Sequence, residues 1–183
     1  MPSNTWFYRL LASCRIALML VLCAAVPAMA QEAPEALKRS APKPMPVIEY
    51  TNASGRTLKL TDEKAPFTIV HFWATWCVPC VKEIAELDQV AGKYAEDGLR
   101  VVAISMDGSN IDKVRKFYAA NKIVYLSAHL DKDMNAFRAA EINGLPSTIF
   151  VDAGGNEVAR SEGVINWHDT SVDALIIHGL GKR

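Results

Sequence analysis

Residues 67–74, FTIVHFWA, form an unbroken apolar and β-branched run. A strand with one face in water alternates polar and apolar side chains, whereas a strand with no polar face must be covered on both sides. The run therefore predicts a central strand in a sheet covered by helices. Thr75 ends it, and Trp76, Cys77, Val78, Pro79 and Cys80 follow at once. From Val81 the segment VKEIAELDQVAGKYAEDG places Ile84, Leu87, Val90, Ala91 and Tyr94 at helical spacing until Gly98 closes it. Two cysteines thus stand where a buried strand gives way to a helix.

The rest of the chain alternates in the same way. VIEY and TLKL, joined by Asn52-Ala53-Ser54-Gly55, read as a hairpin in which Gly55 supplies a positive φ. LRVVAISM (99–106) reads as a second buried strand, residues 111–121 as a helix, and IVYL (123–126) as a short strand. Asp131 is placed to cap a helix running through Ile142, which Asn143 and Gly144 end. STIFVD (147–152), the turn at 153–156 and EVARS (157–161) form an antiparallel pair, and a last helix spans about 169–178. Strands alternating with helices predict an α/β layered domain, and the closing hairpin makes its sheet mixed.

The first thirty residues contain no acidic side chain, carry Arg9 and Arg15, and run IALMLVLCAAVPAMA up to Ala30. A charged start, an apolar centre and small residues at Ala28 and Ala30 form the pattern of an export signal. Its 15 apolar residues would span roughly 22 Å as a helix, short of the roughly 30 Å hydrocarbon core of a bilayer. Cleavage is the favoured expectation and an uncleaved membrane anchor the alternative. Residues 31–46, with prolines at 34, 42, 44 and 46, read as an extended, poorly ordered linker, leaving 47–183 as the folded domain. Lys plus Arg and Asp plus Glu both number 20, with no basic block, so the composition argues against nucleic acid as a partner.

Export sharpens the cysteine count. Cys14 and Cys23 lie in the presumed signal, which leaves Cys77 and Cys80 as the cysteines of the mature chain. A zinc site would need two further ligands, and a disulfide closing so short a loop constrains little of the unfolded chain. A redox-active dithiol is the remaining use. Backbone N–H groups and the dipole at a helix N-terminus stabilise a thiolate, so Cys77 is expected to be the attacking sulfur. Cys80, one turn in, is placed to resolve the mixed disulfide, and Pro79 stiffens the first turn.

FWATWCVPC, the sequence Gly144-Leu145-Pro146-Ser147-Thr148, the segment IFVDAGGNEVA, and Gly163 and Trp167 together resemble the thioredoxin superfamily, most closely its exported TlpA/ResA/CcmG branch. The resemblance implies a three-layer α/β/α fold with a central mixed sheet, an N-terminal β-hairpin extension and a cis peptide bond before Pro146, facing the dithiol. It also implies that Glu83 is the glutamate this branch keeps near its active site, where a buried carboxylate exchanges protons with the cysteines. The alternative for Glu83 is a solvated first-turn residue favoured by the helix dipole. Where the branch often has proline, this chain has Ala85.

His71 occupies the strand position at which cytosolic thioredoxins carry a buried aspartate. It is either a proton relay to Cys80 or a satisfied core histidine. Trp76 completes the set of residues supporting the dithiol, while His129, His168 and His178 show no metal-ligand spacing and read as surface residues.

The function implied is that of a periplasmic thiol:disulfide oxidoreductase, a reductase in poise, with no cofactor beyond the Cys77–Cys80 disulfide. Implied partners are client proteins with paired or copper-site cysteines, in cytochrome c maturation or cytochrome oxidase assembly, and a membrane thiol-reductant donor; the protein itself is expected to be a monomer. The alternative from another class is a copper-binding assembly factor using both cysteines and a histidine. A peroxide reductase would call for a solitary reactive cysteine.

Overall fold

In the computed structural model, which describes residues 37–182, the apolar run is strand β4, Phe67–Trp73, and all seven of its residues are buried. Its side chains divide by parity. Phe67, Ile69 and Trp73 enter one core, with Ile84, Leu87, Val114, Tyr118, Val172 and Ile176; Val70 and Phe72 enter a second, with Ile48, Leu60, Val102, Ile104 and Ile149. Burying an aliphatic side chain of this size contributes about 1.5–3 kcal/mol, so a strand with two such faces holds the centre of the sheet.

The chain builds β1 (Leu37–Pro44), β2 (Glu49–Asn52), β3 (Thr57–Lys59), β4, α1 (Val78–Lys93) and β5 (Leu99–Ser105). It continues through α2 (Ile111–Ala120), β6 (His129–Leu130), α3 (Asn135–Ala139), β7 (Ser147–Asp152), β8 (Asn156–Glu162) and α4 (Thr170–Gly179). The strands form one sheet in the order β1-β8-β7-β4-β5-β6-β2-β3. β4 pairs in parallel with β5, and β5 with β6, while the other neighbours are antiparallel, so the sheet is mixed as expected. Helices α1, α2 and α4 supply the first core, whereas the second is covered by little more than α3, Ile48 and Leu60. The three-layer expectation holds with one thin layer.

The hairpin at 49–59 turns where Gly55 has φ +84°, and Gly98 at φ +86° closes the turns that follow α1. Three expectations need correction. The linker reading of 31–46 fails for Leu37–Pro44, which is an edge strand registered against β8, so the ordered domain begins by residue 37. Proline is tolerated on an edge because its missing N–H faces no partner strand.

Residues 123–126 are not a strand. The buried Asp88 carboxylate of α1 accepts the backbone N–H groups of Val124, Tyr125 and Leu126, with N···O distances of 3.1, 2.7 and 3.0 Å. Those donors are therefore spent on a side chain, and the short strand β6 forms three residues later. Asp131 is not the N-cap, a position held by Met134; from three residues earlier its carboxylate accepts the Asn135 and Phe137 N–H groups at 2.9 and 2.8 Å, and the helix that follows lasts five residues and does not reach Ile142. The expectations placed on residues 1–30, and on Cys14 and Cys23, lie outside the described residues.

Candidate active site

Cys77 is the N-cap of α1, and its Sγ accepts the backbone N–H of Cys80 at 3.4 Å. Pro79 stands in the first helical turn, where a missing N–H leaves no bond unmade. The two cysteines are joined in a disulfide; Cys80 is wholly buried and Cys77 nearly so. Trp76 and Val78 flank them in the open, 63% and 71% exposed, giving the disulfide an apolar rim.

The register Phe72 to Ser147 brings the start of β7 beside the end of β4, and the Leu145–Pro146 bond there is cis, as the resemblance implied. The Pro146 carbonyl accepts the N–H of Gly163 at 2.9 Å, and Ser147 Oγ donates to the Gly144 carbonyl at 2.8 Å. Gly144 and Leu145 share a groove of about 460 Å³ with Trp76, Cys77, Pro79, Met106, Met134 and Phe137. No side chain in that lining carries a charge. The disulfide thus opens onto an apolar trough suited to an apolar segment of another chain.

Glu83 follows Cys80 by three residues on the same helix and is 1% exposed. Its Oε1 accepts Trp167 Nε1–H at 2.9 Å and the Ile165 N–H at 3.2 Å, while Oε2 has no partner. Burial pushes its carboxyl up to about 7, against which these two hydrogen bonds pull only in part. The solvated alternative is therefore corrected: Glu83 is a buried carboxyl poised to gain and lose a proton near neutrality.

His71 is also fully buried, on the same sheet face as the Glu83–Trp167 pair. Its Nδ1 is hydrogen-bonded to Thr148 Oγ1 at 2.9 Å, and its ring meets that of Trp167 edge-on at 6.4 Å. Burial lowers its pKa to about 3, which keeps the ring neutral through the range in which thiols exchange. We expect His71→Asn to leave the shape of the exchange rate against pH between 5 and 9 unchanged; loss of an inflection there would restore the relay.

The same histidine makes acid stability a second readout. Unfolded His71 takes a proton near 6.5 and folded His71 only near 3, so stability falls as pH drops through that window. Asn has no such titration, and unfolding measured from pH 7 to 4 should lose part of its slope in the variant.

Sequence reasoning missed two features of the site and misjudged one histidine outside it. Trp167 is the side-chain donor to Glu83, and a lone tryptophan in the polar stretch NWHD was the signal for it. Asp107 accepts from the loop that carries Cys77; its signal was an acid just past the carboxyl end of a parallel strand. His129 is half-buried and not a surface residue: its ring meets Tyr50 edge-on at 4.8 Å, and burial together with the Arg100 charge lowers its pKa to about 4. His168 and His178 are exposed as expected. Among the described residues, no three His, Cys, Asp or Glu side chains gather to hold a metal ion.

The sequence matches the AhpC/TSA family over residues 41–159, from within β1 to within β8 and across the dithiol. This chain belongs to the AhpC/TSA family. It is similar to a thiol-disulfide oxidoreductase ResA of Bacillus cereus, at 27% identity over 80% of this chain and 84% of that protein. With ResA of Bacillus subtilis it shares 29% identity over 68% of this chain and 67% of the relative. Among solved structures it superposes on a putative thiol:disulfide interchange protein DsbE from Chlorobium tepidum with a TM-score of 0.69 at 23% identity, covering 79% of this chain and all of that one. A thioredoxin family thiol:disulfide interchange protein from Chlorobium tepidum TLS gives 0.64 at 26% identity, covering 79% of this chain and 100% of the other. The thioredoxin-like fold and the likeness to the TlpA/ResA/CcmG branch rest on these matches together with the mixed sheet and its flanking helices.

Proposed function

We propose that this protein is an exported thiol:disulfide reductase that delivers electrons to cysteine pairs of client proteins on the outer side of the cytoplasmic membrane. The observation that carries this reading is the disulfide at the N-cap of a 16-residue helix, opening onto an uncharged groove, with a buried, near-neutral carboxyl one helical turn past Cys80. Thiol–disulfide exchange is the chemistry for which such an arrangement is built, and the similar proteins carry that activity in their names.

In the reduced protein the Cys77 thiolate attacks one sulfur of a client disulfide. A bond forms between Cys77 and that sulfur, the client S–S bond breaks, and the second client sulfur leaves as a thiolate. Cys80 then gives up its proton, for which Glu83, one helical turn on, is the acceptor we assign. Its sulfur attacks Cys77, closing the Cys77–Cys80 disulfide and freeing the client with two electrons and, after protonation, two thiols. A membrane protein with its own dithiol would return the enzyme to its reduced form. Clients with paired cysteines awaiting haem or copper are the class we favour, because such cysteines must be reduced before they are filled.

Direction of flow is tested by the reduction potential. We expect equilibration with glutathione or a thioredoxin couple to place Cys77–Cys80 near the thioredoxin end, at about −270 mV; a value near about −120 mV would make the protein an oxidant and overturn the reductase assignment.

A further inference from the structure

The loop between β4 and α1 that presents Cys77 is fastened to one carboxylate. Asp107 Oδ2 accepts the Thr75 backbone N–H at 2.9 Å and Ser105 Oγ–H at 2.7 Å; Oδ1 accepts Thr75 Oγ1–H at 2.7 Å and the Lys113 ammonium at 2.8 Å. Four donors thus fill the accepting positions of the two oxygens, and the side chain is 1% exposed while that of Lys113 is 47% exposed. Desolvation alone would raise the Asp107 pKa, but these bonds outweigh it and hold the carboxyl below its usual range.

A buried negative charge beside a loop that must carry a thiolate is costly unless something offsets it. Thr75 is two residues from Cys77, so their Cα atoms are at most about 7.6 Å apart. Other charged or titratable groups stand on the elements around the dithiol: His71 on β4, Lys82 and Glu83 on α1, Lys113 on α2, Asp131, Lys132 and Asp133 before α3, and Glu162 at the end of β8. Asp107, and none of these, accepts hydrogen bonds from Thr75 of the 74–77 loop.

We propose that Asp107 is a positioning residue that fixes the Cys77 loop through Thr75, and that Lys113 cancels its charge so that the fastening does not suppress the Cys77 thiolate. The two residues are then a balanced pair with opposite effects on the same sulfur. Neither touches the reacting atoms.

The test is the pH dependence of Cys77 alkylation in the reduced full-length protein, with the modified cysteine assigned by peptide mass. This readout needs no client and stands whether or not the reductase assignment does. Lys113→Met leaves the Asp107 charge uncompensated and is expected to lower the acid dissociation constant of Cys77 about threefold to tenfold; Asp107→Asn is expected to raise it by a similar factor. A fastening with only a structural role would move both variants in one direction or neither, and either result overturns the proposal. Lys113 is half-exposed, so its variant folds and decides the matter alone if Asp107→Asn does not: a constant that rises or stays within twofold refutes the charge balance.

Discussion

Cys77→Ser is expected to abolish exchange, with a fall of roughly 10³-fold or more in the rate of disulfide reduction. The expectation follows from the asymmetry of the two sulfurs. Cys77 caps α1 at the edge of the open groove, where a client sulfur has access, while Cys80 is sealed inside the first turn. A hydroxyl at position 77 retains the cap but has no ionised form near neutral pH, so the helix terminus has no anion to stabilise. Cys80→Ser should behave differently: the first attack proceeds and the reaction stops at the mixed disulfide. Equal losses of the first step in the two variants would remove the distinction between attacking and resolving sulfur.

Glu83→Gln should make the protein more stable in alkali while slowing it. Glutamine keeps an oxygen for Trp167 Nε1–H and the Ile165 N–H, and places its amide where Oε2 has no partner. What it loses is the charge. Between about 4.5 and about 7 the folded protein retains a proton on Glu83 that the unfolded chain has released, so wild-type stability falls as pH rises through that window. The shift corresponds to about 3 kcal/mol, absent below the window and fully expressed above it.

Urea unfolding at pH 5 and pH 8 should therefore show wild type losing ground on the variant at the higher pH. An equal loss in both would mean that Glu83 ionises freely in the fold. Without this acceptor, closure of the Cys77–Cys80 bond is expected to slow about 10²-fold and to lose its inflection near pH 7.

The sheet was legible because its central strand carries its signal in composition alone. A run such as FTIVHFWA admits only a doubly covered strand, and the alternation around it sets the layers. Leu37–Pro44 was hidden because an edge strand needs no apolar face: seven of its eight residues are exposed, and its order comes from backbone pairing with β8. Residues 123–126 misled for the opposite reason. IVYL has the β-branched and aromatic content of a strand, but Asp88, more than thirty residues earlier, takes its N–H groups. No local pattern reports a partner at that distance.

The site divides along the same line. The cysteines are readable because their spacing and helix position are local. The state of Glu83 is not, since an exposed and a buried helical glutamate share one sequence signature, and the groups that hydrogen-bond it, Ile165 N–H and Trp167 Nε1–H, lie more than eighty residues away. Asp107 likewise acts through a contact that only the parallel pairing of β4 and β5 creates.

Exchange with client proteins through Cys77 is tested most directly by a trap. The Cys80→Ser variant, produced in cells and quenched with acid, is resolved without reductant and its adducts are mapped by mass spectrometry. Client proteins disulfide-linked to Cys77 are expected, released by reductant and absent from a Cys77→Ser, Cys80→Ser double variant. An empty trap, or adducts equally abundant in the double variant, would contradict the assignment of Cys77 as the sulfur that attacks clients.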